Sequence, residues 1–145
     1  MRLLVTSIAA KAEPKDLEPM VIIETKSPIP LGEASPWVTR ISAYEFEERQ
    51  IDNLADALRS VPGMAVFRSG QAGSQTSLFS RGANSDHTTF LYEGRKLNGG
   101  FSGTYNLGQI PLTGASSLEV LRGSSSVQYG AEGIGGAIML RNEPL

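Results

Sequence analysis

The chain contains no cysteine and only one histidine, His87, among its 145 residues. The absence of cysteine excludes disulfides and thiolate metal sites. A single histidine in a turn between strands gives little support to a metal centre or a Ser-His-Asp arrangement. Charge is also sparse, since 19% of the residues are charged and the formal net charge is −2. Nucleic-acid binding needs clustered lysine and arginine, so the composition predicts no nucleic-acid partner.

Long apolar runs are missing as well. No segment approaches the roughly 20 apolar residues that a membrane-spanning helix needs, and the alternating strands are fewer than the 8 or so that close a membrane barrel. The length suffices for one domain with a modest core. The 16 glycines and 8 prolines predict a fold rich in loops.

The first 36 residues have the composition of a leader followed by a flexible segment. Residues 1–12 contain an apolar run and then Ala10-Lys11-Ala12, a pattern typical of a signal-peptide cleavage site; an arbitrary start is the alternative. Residues 12–36 contain five prolines, which predict that no packed helix forms there.

The apolar stretch of residues 20–23 is the exception within this segment. It is β-prone and lies between Glu18 and Glu24, so it predicts a short extended strand that can be added to the edge of another sheet. The alternative is an ordinary edge strand of the same domain. We therefore divide the chain into a flexible N-terminal part, residues 1–36, and a globular domain, residues 37–145.

The pattern from Trp37 onward predicts an α+β domain. Ser42 and Glu45 have the spacing of a capping box at a helix start. Asp52 or Asn53 can cap a second helix. The core face of that helix is predicted to be Leu54, Ala57, Leu58 and Val61, with Pro62-Gly63 as its end. Strands are predicted at residues 37–41, 64–67, 78–80, 88–92, 118–121 and 137–140. The result is a small mixed sheet with two or three short helices and long glycine-rich loops.

Three ordered motifs identify a family. Residues 118–140, LEVLRGSSSVQYGAEGIGGAIML, residues 78–97, LFSRGANSDHTTFLYEGRKL, and residues 51–63, IDNLADALRSVPG, resemble the plug domain of TonB-dependent outer-membrane receptors. The resemblance covers about residues 18–145. Within the family, residues 101–111, FSGTYNLGQIP, are most similar to receptors of the vitamin B12 (cobalamin) type. Ser80 stands where the family usually has an apolar residue, which predicts a less buried strand there.

The resemblance implies two sets of site residues, the composition of the loops suggests a third, and neither points to a catalytic, metal or cofactor site. The TonB box, which pairs with the C-terminal domain of TonB, corresponds to Glu18, Pro19, Met20, Val21, Ile22, Ile23, Glu24 and Thr25. Loops with uncharged donors, acceptors and aromatic faces suit a large organic or metal-chelate ligand; they contribute Gln75, Thr76, Phe101, Ser102, Thr104, Tyr105 and Asn106. Arg81 and Arg122 are expected to face the barrel of the same receptor. Glu119, on the strand of Arg122, is expected to share its face and to be its internal partner.

The function implied by the resemblance is transport. The domain would occlude a receptor barrel in the Gram-negative outer membrane, with its N-terminus facing the periplasm, and would gate the uptake of a scarce nutrient such as cobalamin or a ferric siderophore. The alternative is a free-standing periplasmic binding or adaptor module with a plug fold. An enzyme that uses His87 is a third and more distant hypothesis.

Overall fold

The computed structural model describes residues 18–71, 74–97 and 106–142. Their strands and α-helices follow the order β1 (Met20–Val21), β2 (Ile29–Pro30), β3 (Val38–Ser42), α1 (Ala43–Glu48), α2 (Leu54–Arg59), β4 (Met64–Arg68), β5 (Thr76–Ser80), β6 (Thr88–Tyr92), β7 (Arg95–Lys96), β8 (Ser117–Arg122), α3 (Ser126–Tyr129) and β9 (Gly136–Arg141). Single 3₁₀ turns occur at Ser85–His87, Leu107–Gln109 and Ala131–Gly133.

A mixed five-stranded sheet organises the domain. Its strand order is β3-β8-β9-β6-β7, in which β6 and β9 are parallel and the other neighbours are antiparallel. The pairs β4–β5 and β1–β2 form two further antiparallel sheets of two strands each. This architecture confirms the predicted α+β class with a small mixed sheet and short helices.

One face of the main sheet packs against α1 and α2. Helix α1 begins at the predicted capping box: the Ser42 hydroxyl accepts from the Glu45 amide, and the Glu45 carboxylate accepts from the Ser42 amide. Asn53 caps α2 by accepting from the Asp56 amide. The predicted core face of α2 is buried, and it joins apolar residues of β8 and β9 in one cluster. We call this the helix-covered face of the sheet.

Residues 18–36, the N-terminal segment, cover the opposite face. Val21 and Ile23 are fully buried and pack with Leu91, Tyr129 and Met139 in a second apolar cluster. The structure therefore differs from the expectation of a flexible segment. The physical reason is that this face of the sheet is also apolar, and it would be exposed to water without the segment. We call it the segment-covered face.

Two local features also differ from expectation. Ser80 is almost fully buried instead of being locally exposed, because its hydroxyl donates to the Gly135 carbonyl at 2.6 Å and so has a partner inside the fold. Helix α3 lies in the glycine-rich stretch between β8 and β9, where the sequence analysis places no helix. None of the helices in the described ranges has the length and apolar character needed to cross a bilayer.

Candidate functional site

The predicted TonB-box residues, 18–25, lie on the sheet as part of the N-terminal segment. Met20 and Val21 pair with Pro30 and Ile29 in a short hairpin. After Val21 the chain turns, since the Thr25 and Lys26 amides both donate to the Ile22 carbonyl, at 3.2 and 2.8 Å. The stretch is therefore a hairpin strand followed by a turn, not a continuous extended strand.

Glu119 anchors this turn from the middle of β8. The residue is fully buried, and one carboxylate oxygen, Oε2, accepts from the backbone amides of Ile22 and Ile23, each at 2.9 Å. The other oxygen, Oε1, has no hydrogen-bond partner among the residues that the structure describes. The expected pairing of Glu119 with Arg122 is wrong, because residues three positions apart on a strand face opposite sides of the sheet.

Helix α3 holds the same turn from the side. The Tyr129 hydroxyl donates to the Ile23 carbonyl at 2.7 Å, and the Gln128 side-chain amide donates to the Glu24 carbonyl. The Lys26 ammonium group also donates to the backbone carbonyl of Gln128, at 2.7 Å. Burial and, to a smaller extent, the nearby Glu119 charge raise the pKa of Tyr129 to about 12. The Tyr129 hydroxyl is therefore protonated, and it can donate, throughout the neutral range.

The two arginines of the Arg-Gly motifs meet at Trp37. The guanidinium of Arg81, an exposed residue, lies 4.2 Å from the centroid of the Trp37 ring, a cation–π contact. Arg122 is partly buried and donates to three backbone carbonyls: Pro36 at 2.9 Å, Trp37 at 3.2 Å and Pro62 at 3.4 Å. Arg122 thus joins the end of the N-terminal segment to the turn between α2 and β4. Arg81 has the more accessible charge of the two.

The structure brings together two of the predicted ligand-loop residues. The Asn106 side-chain oxygen accepts from the Thr76 amide at 3.0 Å and from the Gly108 amide at 3.1 Å. Thr76 is fully buried and its hydroxyl donates to the Ser74 carbonyl at 3.0 Å, so this residue supports the loop junction from within. Gln75 is exposed beside it. The other four predicted residues, Phe101, Ser102, Thr104 and Tyr105, lie outside the described residues.

Glu119, Tyr129 and Gln128 are the residues that the sequence analysis does not assign to the docking of residues 18–25. A signal for Glu119 exists: it is the one charged residue within the apolar part of the β8 sequence, SLEVL. A signal for the docking surface also exists, because the uninterrupted apolar run of β9, AIML, is typical of a strand buried on both faces.

Within the described ranges, no group of three or more side chains is placed to hold a metal ion.

The family of this chain follows from a match between its sequence and a protein-family model. The model of the TonB-dependent receptor plug domain matches residues 31–137, well over half of the chain. The chain belongs to the TonB-dependent receptor plug domain family. The resemblance carried by the three glycine-containing motifs is thereby confirmed.

Solved receptors with similar plug folds are only distantly related in sequence. The ferripyoverdine receptor of the outer membrane of Pseudomonas aeruginosa, bound to ferripyoverdine, is 19% identical over 86% of this chain, with a TM-score of 0.71. A mutant of the ferric enterobactin receptor of P. aeruginosa, in complex with enterobactin, is 23% identical over 76% of the chain, with a TM-score of 0.60. The siderophore receptor PirA of Acinetobacter baumannii is 22% identical over 77%, with a TM-score of 0.60. The chain spans 16–18% of the length of these proteins, so the likeness describes the plug fold alone.

Proposed function

We propose that this plug domain gates the energy-coupled uptake of a large, scarce nutrient through an outer-membrane receptor. The observation that carries the proposal is the family match over residues 31–137. A plug is a receptor domain, which supports a role in transport and not in catalysis. On this proposal the domain lies inside the barrel of its receptor, with the N-terminal segment on the periplasmic side.

Ferric siderophores are the first ligand class of the proposal. The support comes from similar plug folds in receptors whose crystal structures contain ferripyoverdine or enterobactin. Cobalamin is the second candidate, on the resemblance of residues 101–111 to receptors of that type. Both are large ligands with many polar groups, which suits the uncharged donors and acceptors of Gln75 and Asn106 near the loop junction.

The coupling part of the proposal assigns residues 18–25 as the TonB box. Strand addition to the TonB C-terminal domain uses backbone donors and acceptors together with alternate side chains. The apolar residues Val21, Ile22 and Ile23 provide such side chains. Arg81 is proposed to face acidic residues of the barrel, and its exposed guanidinium supports this. The same role is proposed for Arg122, whose guanidinium has further N–H groups besides the three that donate to backbone carbonyls.

The free-standing adaptor is the competing proposal, and an uptake experiment separates the two. Cells that depend on the receptor containing this chain are offered radiolabelled ferripyoverdine, ferric enterobactin and cyanocobalamin, with and without a protonophore. We expect energy-dependent accumulation of one ligand class and its loss in the Ile22→Pro receptor. Accumulation of none, together with tight binding of a ligand to the isolated chain, would favour the adaptor.

A further inference from the structure

Glu119 is a buried carboxylate in an apolar surrounding. It lies on the segment-covered face among Val21, Ile23 and Met139. Arg40 is its cross-strand neighbour on β3 but forms no ion pair with it in the described part of the chain. Its only hydrogen-bond donors there are the amides of Ile22 and Ile23.

The carboxylate and the N-terminal segment therefore stabilise each other. A buried charge is costly unless it is hydrogen-bonded, and a hydrogen bond to an ionised acceptor is stronger than one between neutral groups. If residues 18–25 leave the sheet, this face meets water and Glu119 exchanges both amide donors for water. Undocking the segment thus loses the net stabilisation of two charge-assisted hydrogen bonds, in addition to exposing Val21 and Ile23.

The geometry at Glu119 is incompatible with an extended strand. Successive amides of a β-strand point in opposite directions, so that only every second one faces a given neighbour. Here the amides of Ile22 and Ile23 converge on a single carboxylate oxygen. The backbone at these two residues is accordingly part of the turn that ends at Lys26, and it must straighten before it can pair as a strand.

The neighbouring carbonyls are occupied too. The Ile23 carbonyl accepts from the Tyr129 hydroxyl, and the Glu24 carbonyl accepts from the Gln128 side chain. Strand addition would need backbone groups in this same stretch. The docked conformation and the paired conformation of residues 22–24 therefore exclude each other.

We propose that Glu119 is the positioning residue that keeps Ile22 and Ile23 docked in a turn, and that pairing with TonB requires their amides to leave its carboxylate. The inference rests on the proposed TonB-box role of residues 18–25. Glu119 thereby sets how easily the plug presents its N-terminal segment to a partner.

Amide hydrogen exchange of the 145-residue chain tests the docking directly and needs no partner. Glu119→Gln keeps the shape but replaces the ionised acceptor by a neutral one, and Glu119→Leu removes the acceptor. We expect exchange at Ile22 and Ile23 to be about tenfold faster in Glu119→Gln, and faster again in Glu119→Leu. Amides of the central strand β9 should keep their protection, which shows that the variant is folded. Glu132→Gln, at an exposed carboxylate paired with Lys96, is the matched control and should leave both rates unchanged.

Unchanged exchange at Ile22 and Ile23 in a folded Glu119→Gln chain would overturn the inference, and this variant decides the matter if Glu119→Leu does not fold. Titration with a TonB C-terminal domain adds the second readout: Glu119→Gln should bind it about tenfold more tightly than wild type. Faster exchange without tighter binding would also overturn it, provided that a free peptide of residues 18–25 binds TonB. A peptide that does not bind would contradict the proposed TonB box instead, and the exchange rates would still decide the role of Glu119.

Discussion

Leu58 offers the sharpest test of how the helix-covered face is held together. It is the fully buried fifth residue of the six-residue helix α2, and it belongs to the apolar cluster beneath the sheet. Leu58→Ala preserves helix propensity and removes three carbon atoms from a packed site. The change therefore probes packing and leaves the Asn53 cap intact.

The expected cost follows from the complete burial of the side chain. Buried Leu→Ala changes lose the transfer free energy of the side chain and leave a cavity, and they cost about 2–5 kcal/mol. A domain of this length is stabilised by roughly 5–15 kcal/mol in total. At roughly 3 °C per kcal/mol, the midpoint of thermal unfolding should fall by about 10 °C.

Urea unfolding followed by circular dichroism measures the free energy of unfolding of wild type and variant. Arg59→Ala is the matched control on the same helix, because Arg59 is exposed and its guanidinium forms a surface ion pair with Asp56; it should cost no more than about 1 kcal/mol. A loss below about 0.5 kcal/mol for Leu58→Ala would be typical of a surface position and would refute the packing of α2 described here.

Three further predictions concern backbone geometry, pH and ligand binding. Gly136 has φ +127°, and a Cβ there would lie 2.3 Å from the Leu121 carbonyl oxygen. Gly136→Ala should therefore lower the free energy of unfolding by about 1–3 kcal/mol. Gly114→Ala is the control and should cost clearly less, because φ is positive there but the space around the position is open. Because the pKa of Tyr129 rises from 10.0 unfolded to about 12 folded, its contribution to stability is complete below pH 10 and is lost as the pH rises through 12. Urea titrations should show that the free energy of unfolding falls by roughly 3 kcal/mol between pH 10 and pH 12. Tyr129→Phe should remove this fall and Tyr92→Phe should not. An equal fall in wild type and both variants would contradict its assignment to Tyr129. Calorimetry should find at most weak binding of cobalamins and ferric siderophores to the isolated chain, since on the proposed function the wall of the receptor barrel supplies the opposite half of the pocket. A sub-micromolar dissociation constant would favour the adaptor.

Local patterns are sufficient to predict α1, α2 and most strands, but not α3. The Ser42 capping box, the Asn53 cap and the buried face of α2 all depend on residues within one or two helical turns of each other. Their chemistry is therefore visible in a short stretch of sequence. The order of strands in the sheet is a long-range property, and no local pattern predicts it.

The docking of the N-terminal segment could not be predicted from local patterns. The hydrogen bonds from Ile22 and Ile23 to Glu119 join residues 97 and 96 positions apart. The prolines argue correctly against a helix in residues 18–36, the part of the segment that the structure describes, but they do not argue against packing. The apolar run in β9 indicates that a second layer covers the sheet without saying which part of the chain supplies it. The ligand loops, in turn, were predicted from composition, and only Gln75, Thr76 and Asn106 of that set lie in the described residues.

Titration of the chain with a TonB C-terminal domain, for wild type and Ile22→Pro, tests the central claim most directly. Proline at position 22 removes the amide that strand pairing would use, and it also removes one donor to Glu119. Loss of docking alone would free the segment and strengthen binding, so weaker binding can arise only from lost pairing. We predict that wild type binds and that Ile22→Pro does not, with Ser27→Ala, which keeps every backbone amide of the segment, binding as wild type does. Equal binding by wild type and Ile22→Pro, or no binding by wild type and Glu119→Gln alike, would contradict the account.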